Sequence, residues 1–285
     1  METSLFALVL SAACCHAGWN YVARTVTGNF VVFWLGICFA SIAITPVAIG
    51  IALLRPVFSG THTAVIAAIA ATSILHAIYF IALAKAYKRG EISVVYPIAR
   101  GSGIGLTAIA AWILLNEQPG LIGGTGILLV IMGIFAMGLP AWRKHRGPHN
   151  IAPAIAVGIT IPVYSVVDDF GVTVVHPVIY VWSMYVFSAL LLAPIIARRY
   201  KGIVMDTARS YRTQIVIIGL GGMLTYLAIL FAYQLGPVSY IAAARESSVV
   251  IAAALGFLLL REHLGFVKVL AILAITAGLL CIRIA

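Results

Sequence analysis

The chain has 285 residues, 63% of them apolar and 9% charged, with a mean hydropathy of +1.11 and a formal net charge of +10. Soluble domains carry roughly 45–50% apolar and about 25% charged residues, so a water-soluble globular protein is excluded and an integral membrane protein is expected. In such a chain a basic excess sets topology, and no nucleic-acid partner is expected.

A helix crossing about 30 Å of hydrocarbon needs about 20 apolar residues, because lipid offers no partner to backbone N–H and C=O groups. The sequence predicts ten such spans, at 3–23, 30–53, 63–84, 92–115, 119–140, 151–170, 177–197, 213–234, 238–260 and 264–283. Ser4 to Ala23 carries no small-x-small cleavage signal and is expected to be retained as the first span. Cys14, Cys15, Cys38 and Cys281 fall inside apolar spans without metal-ligand spacing and read as small packing residues.

Span 1 carries His16, Trp19 and Asn20 at i, i+3 and i+4, a polar and aromatic face on one side of a helix. Span 3 repeats the theme with His76, Tyr79 and Phe80. Two such faces on otherwise apolar helices point to a shared cavity, the competing reading being ordinary interhelical hydrogen bonds. His16 and His76 do not make a metal site, since spacing places no third ligand.

Span 4 opens with Ala86-Tyr87-x-x-Gly90-x-Ile92-Ser93 and continues through Tyr96, Pro97 and Arg100 to Glu117. The same phrase returns as Ala232-Tyr233-x-x-Gly236-x-Val238-Ser239, followed by Arg245 and Glu262, in register to within one residue. A duplication of this length predicts two copies of one five-span unit. We place the first at 1–141 and the second at 151–285, joined by the basic loop 142–150. Five is an odd number, so the second copy enters the membrane upside down, and the fold class is an all-α membrane protein of two inverted five-helix repeats. Of the 18 Lys and Arg, the great majority, among them Lys85, Lys88, Arg143, Lys144, Arg198, Arg199 and Lys201, follow odd-numbered spans. The positive-inside rule then puts both termini outside.

Arg100 and Arg245 lie about 12 Å into their spans at 1.5 Å per residue, near the midplane. A charge there costs from about 2.5 to over 10 kcal/mol, so it faces a partner or a cavity. One reading is a structural ion pair, or a lid on carbonyls freed by a helix break at Pro97. The other is a clamp for an acidic ligand group, which the planar guanidinium fork matches. Glu246 has no acidic counterpart at Gly101 and is a candidate proton carrier. On a continuous helix its neighbour Arg245 points about 100° away and cannot bridge to it directly.

Asp168 and Asp169 are expected at a solvated turn closing span 6, with a second reading in which they attract a cationic amine at a cavity mouth. Glu117 and Glu262 are expected to cap turns or meet interfacial basic groups. Gly101 and Gly105, at GxxxG spacing, are expected to admit close helix contact. No converging acid, base or metal set appears by spacing, which argues against an intramembrane enzyme and for no cofactor.

The ten spans, the duplicated Ala-Tyr-x-x-Gly-x-[Ile/Val]-Ser phrase and the Leu-Leu-Asn-Glu and Leu-Leu-Arg-Glu exits resemble the drug/metabolite transporter superfamily, EamA type, over essentially the whole chain. His16-Ala17-Gly18-Trp19-Asn20 is similar to one branch, sometimes associated with phosphonate utilisation. The resemblance implies a multi-pass carrier of the cytoplasmic (inner) membrane, monomeric or weakly dimeric, with a small-molecule substrate and cavity walls from spans 1, 3, 4, 6, 8 and 9. It also implies cytoplasmic termini, against the charge count.

The expected function is therefore secondary transport of a zwitterionic or anionic metabolite, amino acid-like or phosphonate-like, by alternating access. Arg100 and Arg245 would hold the acid, Trp19, Tyr79 and Tyr96 would form an aromatic wall, and His16, Asn20 and His76 would donate or accept hydrogen bonds. Efflux of amphipathic cations is the alternative.

Overall fold

Few charges and long apolar runs leave the backbone no solvent partner in lipid, and among the described residues most backbone hydrogen bonds close within helices. The computed structural model describes residues 1–26, 29–89, 92–144, 152–260 and 265–285, without the side chains of residues 24, 87–89, 92–96, 144 and 255–260. Its helices are α1 (Thr3–Thr25), α2 (Phe30–Leu54), α3 (His62–Arg89), α4 (Ile92–Leu114), α5 (Leu121–Lys144), α6 (Ala152–Val174), α7 (Pro177–Arg199), α8 (Val204–Ser210), α9 (Arg212–Tyr233), α10 (Val238–Ala244), α11 (Ser247–Leu260) and α12 (Phe266–Ile284). Among the described residues nine of these are long and apolar enough to cross a membrane. The remaining span is split between α10 and α11. The protein is a multi-pass, all-helical membrane protein.

The radial distribution is that of a bundle solvated by lipid. Ile42, Leu53, Ile66, Leu121 and Leu273 point outward and are exposed, whereas Thr72, Ser73, His76, Arg100, Asp168, Arg245 and Glu246 are buried. Interhelical ties use side-chain donors on backbone carbonyls: Trp34 Nε1 donates to Ala189 O at 3.0 Å, and Ser188 Oγ to Ser73 O at 3.0 Å.

The main neighbours are α1 with α9 and α11, α2 with α7 and α9, α3 with α6 and α7, α4 with α5 and α6, and α5 with α12. Exchanging each span for the one five places on maps α1·α9 onto α6·α3, α1·α11 onto α6·α4 and α2·α9 onto α7·α3, and α4·α5 onto the less extensive α11·α12 contact. Backbones approach closely at α2 and α9, where a Cβ on Gly219 would overlap Gly36 O, and at α5 and α12, where a Cβ on Gly126 would sit 2.7 Å from Gly278 O and one on Gly278 2.6 Å from Gly126 O. Without a hydrophobic drive between helices, such backbone contact supplies the packing energy. At the expected GxxxG pair the outcome is divided: a Cβ on Gly101 would lie 2.8 Å from the Phe135 ring, while one on Gly105 would make only an ordinary contact with Ile131 at 3.6 Å.

Three local expectations are corrected. Pro97 does not break α4, which is continuous from Ile92 to Leu114. Its missing N–H falls in the second turn of the helix, where neighbouring helices can take up the freed carbonyl. The break lies instead in the ninth span, at Arg245 and Glu246. There Glu246 N, Ser248 N and Val249 N donate to Ala243 O, Arg245 O and Glu246 O, at 3.1, 3.2 and 2.9 Å. These i→i−3 bonds tighten the helix into a 3₁₀-like segment. Finally, α6 runs on to Val174 rather than ending near 170, so Asp168 is fully buried inside the bundle and not at a solvated turn.

The loop after α4 positions a tie between the two halves. Asn116 adopts a left-handed conformation, φ 55°, which Asn tolerates better than most residues. The reversal aims Glu117 at the N-terminus of α10, where its carboxylate accepts the Val238 N–H at 2.6 Å, the Ser239 N–H at 3.0 Å and the Ser239 hydroxyl. Glu117 is thus a helix cap, delivered from the opposite half of the chain. Glu262, its sequence counterpart, lies outside the described residues.

Replacing Gly126 by Val should destabilise the protein by about 1–3 kcal/mol, the cost of overpacking where backbones touch. Equilibrium unfolding in detergent checks this, and Gly124→Val, a position with no neighbour within 4 Å, should be close to neutral.

Candidate functional site

Three elements bring charge to one place. α4 supplies Arg100, the 3₁₀-like break supplies Arg245 and Glu246, and α1 supplies His16. Arg100 Nη2 lies 3.0 Å from Glu246 Oε1, and Arg245 Nε lies 3.7 Å from the same oxygen. The two arginines are 6% exposed and Glu246 is fully buried. The direct approach of Arg245 to Glu246 corrects the expectation that adjacent residues cannot pair: that holds for a continuous helix, and here the chain is overwound between them.

Arg100 Nη2 also donates to His16 Nε2 at 3.1 Å. Guanidinium has no acceptor, so Nε2 is unprotonated in this contact. Two guanidinium groups, one carboxylate and a neutral imidazole leave a buried centre with one net positive charge. Neither Glu246 oxygen makes a hydrogen bond of regular geometry, so Glu246 is held by charge rather than by aligned donors.

The rest of the α1 face flanks this centre. His16 and Trp19 meet edge to face with ring centroids 5.0 Å apart. Trp19 packs on the bare backbone of Gly221 in α9, where a Cβ would lie 2.6 Å from its own. Asn20 uses its amide on its own helix, Nδ2 donating to His16 O at 2.8 Å. Buried polar atoms without a hydrogen-bond partner gather on the elements around the break: Trp19 Nε1 on α1, Ser165 Oγ on α6, Thr225 Oγ1 on α9, and Ser247 Oγ and Ser248 Oγ at the start of α11. Each such group costs about 1–3 kcal/mol if left unsatisfied.

A second cluster is aromatic and carries the opposite sign. His76 Nδ1 lies 3.0 Å from Thr72 O and 3.1 Å from Thr72 Oγ1 on its own helix. Its ring stacks at 4.7 Å on Tyr164 and meets Tyr226 at 5.1 Å and Tyr79 at 6.4 Å. Beneath them Asp168 accepts a hydrogen bond from Tyr180 Oη at 2.8 Å on one oxygen and from Tyr226 Oη on the other. The two clusters are neighbours in the bundle: α10, whose C-cap is Arg245, packs on α6 and α9, which carry Asp168 and Tyr226.

His16, Trp19, Arg100, Arg245 and Glu246 are therefore brought together, and His76 and Tyr79 join the aromatic cluster beside them. The side chain of Tyr96 lies outside the described residues. Sequence reasoning missed Tyr164 and Tyr226 as site residues and set Asp168 at a turn or cavity mouth rather than inside the bundle. The available signal was Tyr164 and Asp168 at i, i+4 on span 6, the same spacing as His16 and Asn20 on span 1.

Comparison with known proteins finds likeness over parts of the chain and over the fold. Residues 151–284 match the EamA-like transporter family. A segment of 55 residues, 19% of this chain, is 42% identical to the spermidine export protein MdtI of Yersinia enterocolitica serotype O:8 / biotype 1B, of Yersinia pestis (strain Pestoides F) and of Yersinia pseudotuberculosis serotype O:1b. The chain spans half the length of these relatives, 50% of each. A solved crystal structure superimposes over 100% of this chain and 98% of its own, with a TM-score of 0.73 at 15% identity. That likeness establishes a shared fold.

Removing the shared carboxylate should be costly. Glu246→Gln leaves two buried guanidinium groups without a counter-charge and should lower stability by about 3–5 kcal/mol. The double variant Arg100→Met/Glu246→Met removes one charge of each sign and should recover much of that loss. Equilibrium unfolding of the single and double variants measures the coupling.

Proposed function

We propose that this chain, a member of the drug/metabolite transporter superfamily with an EamA-like domain over residues 151–284, is a secondary transporter of a small zwitterionic or anionic metabolite. Its binding site is the Arg100–Glu246–Arg245 centre, and the two units are the five-span repeats 1–141 and 151–285, rocking about it. The observation that carries this reading is a net positive centre, buried at membrane depth, placed at a 3₁₀-like break in a spanning helix. Charges in such positions mark ligand or ion pathways, and broken helices mark transporter sites.

The chemistry follows from the geometry. A ligand carboxylate or phosphonate competes with Glu246 for the guanidinium forks, and Arg245, at 3.7 Å, is the more weakly committed of the two. A proton taken up by Glu246 removes its charge and releases both arginines to the ligand. Loss of that proton restores the internal pair and expels the ligand. Binding and proton exchange are coupled in this way through one carboxylate. Trp19 Nε1, Ser247 Oγ and Ser248 Oγ supply polar contacts to the ligand, and Trp19 and Tyr79 shape its apolar surroundings.

The 3₁₀-like segment is the moving part, since each residue there can shift between i→i−3 and i→i−4 bonding at low cost. The Glu117 cap on α10 ties one end of the broken span to the first half, so that movement of one repeat is felt at the break. The carrier of amphipathic cations is the second reading. It is favoured by the buried carboxylate of Asp168 and by the partial likeness to spermidine exporters.

Arg245→Ala should abolish counterflow of acidic or zwitterionic metabolites in proteoliposomes while leaving unfolding in detergent nearly unchanged, because the 3.0 Å Arg100–Glu246 pair survives. A variant that is stable and transports at the rate of the parent would sink the clamp.

A further inference from the structure

We propose that Asp168 is the subsite for a protonated amine, so that the transported molecule carries a cationic nitrogen opposite the acidic group held at the arginine centre. This rests on the reading of the arginine centre given above and narrows its substrate class. Nothing about the arginine centre itself requires a second pole.

Asp168 lies inside a membrane-spanning helix and is fully buried. Its two recorded hydrogen bonds come from neutral phenols, Tyr180 on one oxygen and Tyr226 on the other. Among the described residues no ion pair joins it to a cation. A carboxylate offers about four acceptor directions, so two phenols leave room for a further donor. Neutral hydroxyls orient a carboxylate but do not balance its charge, and a buried unbalanced charge is costly.

The surroundings suit a cation. His76, Tyr164 and Tyr226 stand around the carboxylate, with the His76 ring 4.7 and 5.1 Å from the other two. Aromatic faces attract ammonium groups through the ring quadrupole, most strongly where water is excluded.

The two poles also match in sign and place. The arginine centre carries one net positive charge and Asp168 one negative, and each faces the ligand group of opposite sign. α10, whose C-cap is Arg245, packs on α6 and α9, the helices that carry Asp168 and Tyr226. A small molecule with its amine at Asp168 would present its acid toward Arg245. Ser165, one turn before Asp168 on α6, is also buried and stands beside Tyr233.

The test measures binding to the purified protein by thermal shift and calorimetry. The probes are the proteinogenic amino acids, the amine-only and acid-only analogues of the strongest binder, and spermidine. The parent protein should bind the amino acid more tightly than either analogue. Asp168→Asn should weaken the amino acid and the amine-only analogue by about tenfold or more, as expected for loss of a charged hydrogen-bond partner, and leave the acid-only analogue unchanged. Arg245→Ala should do the converse.

Asp168→Glu, which keeps the charge, should restore part of the amine affinity. It serves as the comparison with the parent should the Asn variant fail to fold, with amine-bearing ligands shifted and the acid-only analogue not. Equal loss of all three ligands in either variant, unchanged amine binding, or no binding of any amine-bearing probe overturns the proposal. Asp168-dependent binding of spermidine with no effect of Arg245→Ala on any probe upholds the amine subsite and overturns the acidic clamp, so the two failures are told apart.

Discussion

The carboxylate of Glu246 is shared by two guanidinium groups inside a bundle that has almost no other charge, and much of the architecture follows from that arrangement. A lone arginine at membrane depth is prohibitive, and two are worse. One carboxylate between them lowers the cost without cancelling it, because the sum remains positive. To present that carboxylate to Arg100 and Arg245 together, the ninth span abandons regular α geometry for three i→i−3 bonds. The break is thus the local price of the ion cluster. It also places the small hydroxyls of Ser247 and Ser248 at the head of a new helix, beside the charges.

Around this centre the fold is arranged so that polar groups look inward and aliphatic groups outward, the reverse of a soluble protein. The aliphatic exterior contributes little to helix association in lipid, so the packing is carried by close backbone contacts such as Gly126 on Gly278 and by donor-to-carbonyl ties such as Trp34 to Ala189. Helices held this way can slide or tilt with few obligatory contacts to remake. The symmetry of the neighbour pattern gives such a motion a natural form, with equivalent helix pairs exchanging roles.

Charge also explains how the two clusters relate. Asp168 would be intolerable in lipid alone, and two phenols orient it without neutralising it. It stands across a ring of tyrosine and histidine from the arginine centre and carries the opposite sign. A protein that needed only stability would have joined the opposite charges directly, or replaced them with apolar side chains of similar size.

The sequence by itself determined the membrane class, the helical fold and the presence of Arg100 and Arg245 inside apolar stretches. All of these depend on composition, length and period, which hydrocarbon thickness and helical rise convert directly into structure. His16 and Glu246 could be named for the same reason, as polar residues where none should be. Tertiary structure alone decided that Glu246 joins both arginines, that the helix breaks there and not at Pro97, that Glu117 caps a helix of the other half, and that Asp168 is buried. These outcomes rest on contacts between residues far apart in the chain, and on the tightening of one turn by three hydrogen bonds. Propensity and spacing describe a helix in isolation, whereas the balance of charge inside a bundle is settled only when its helices meet.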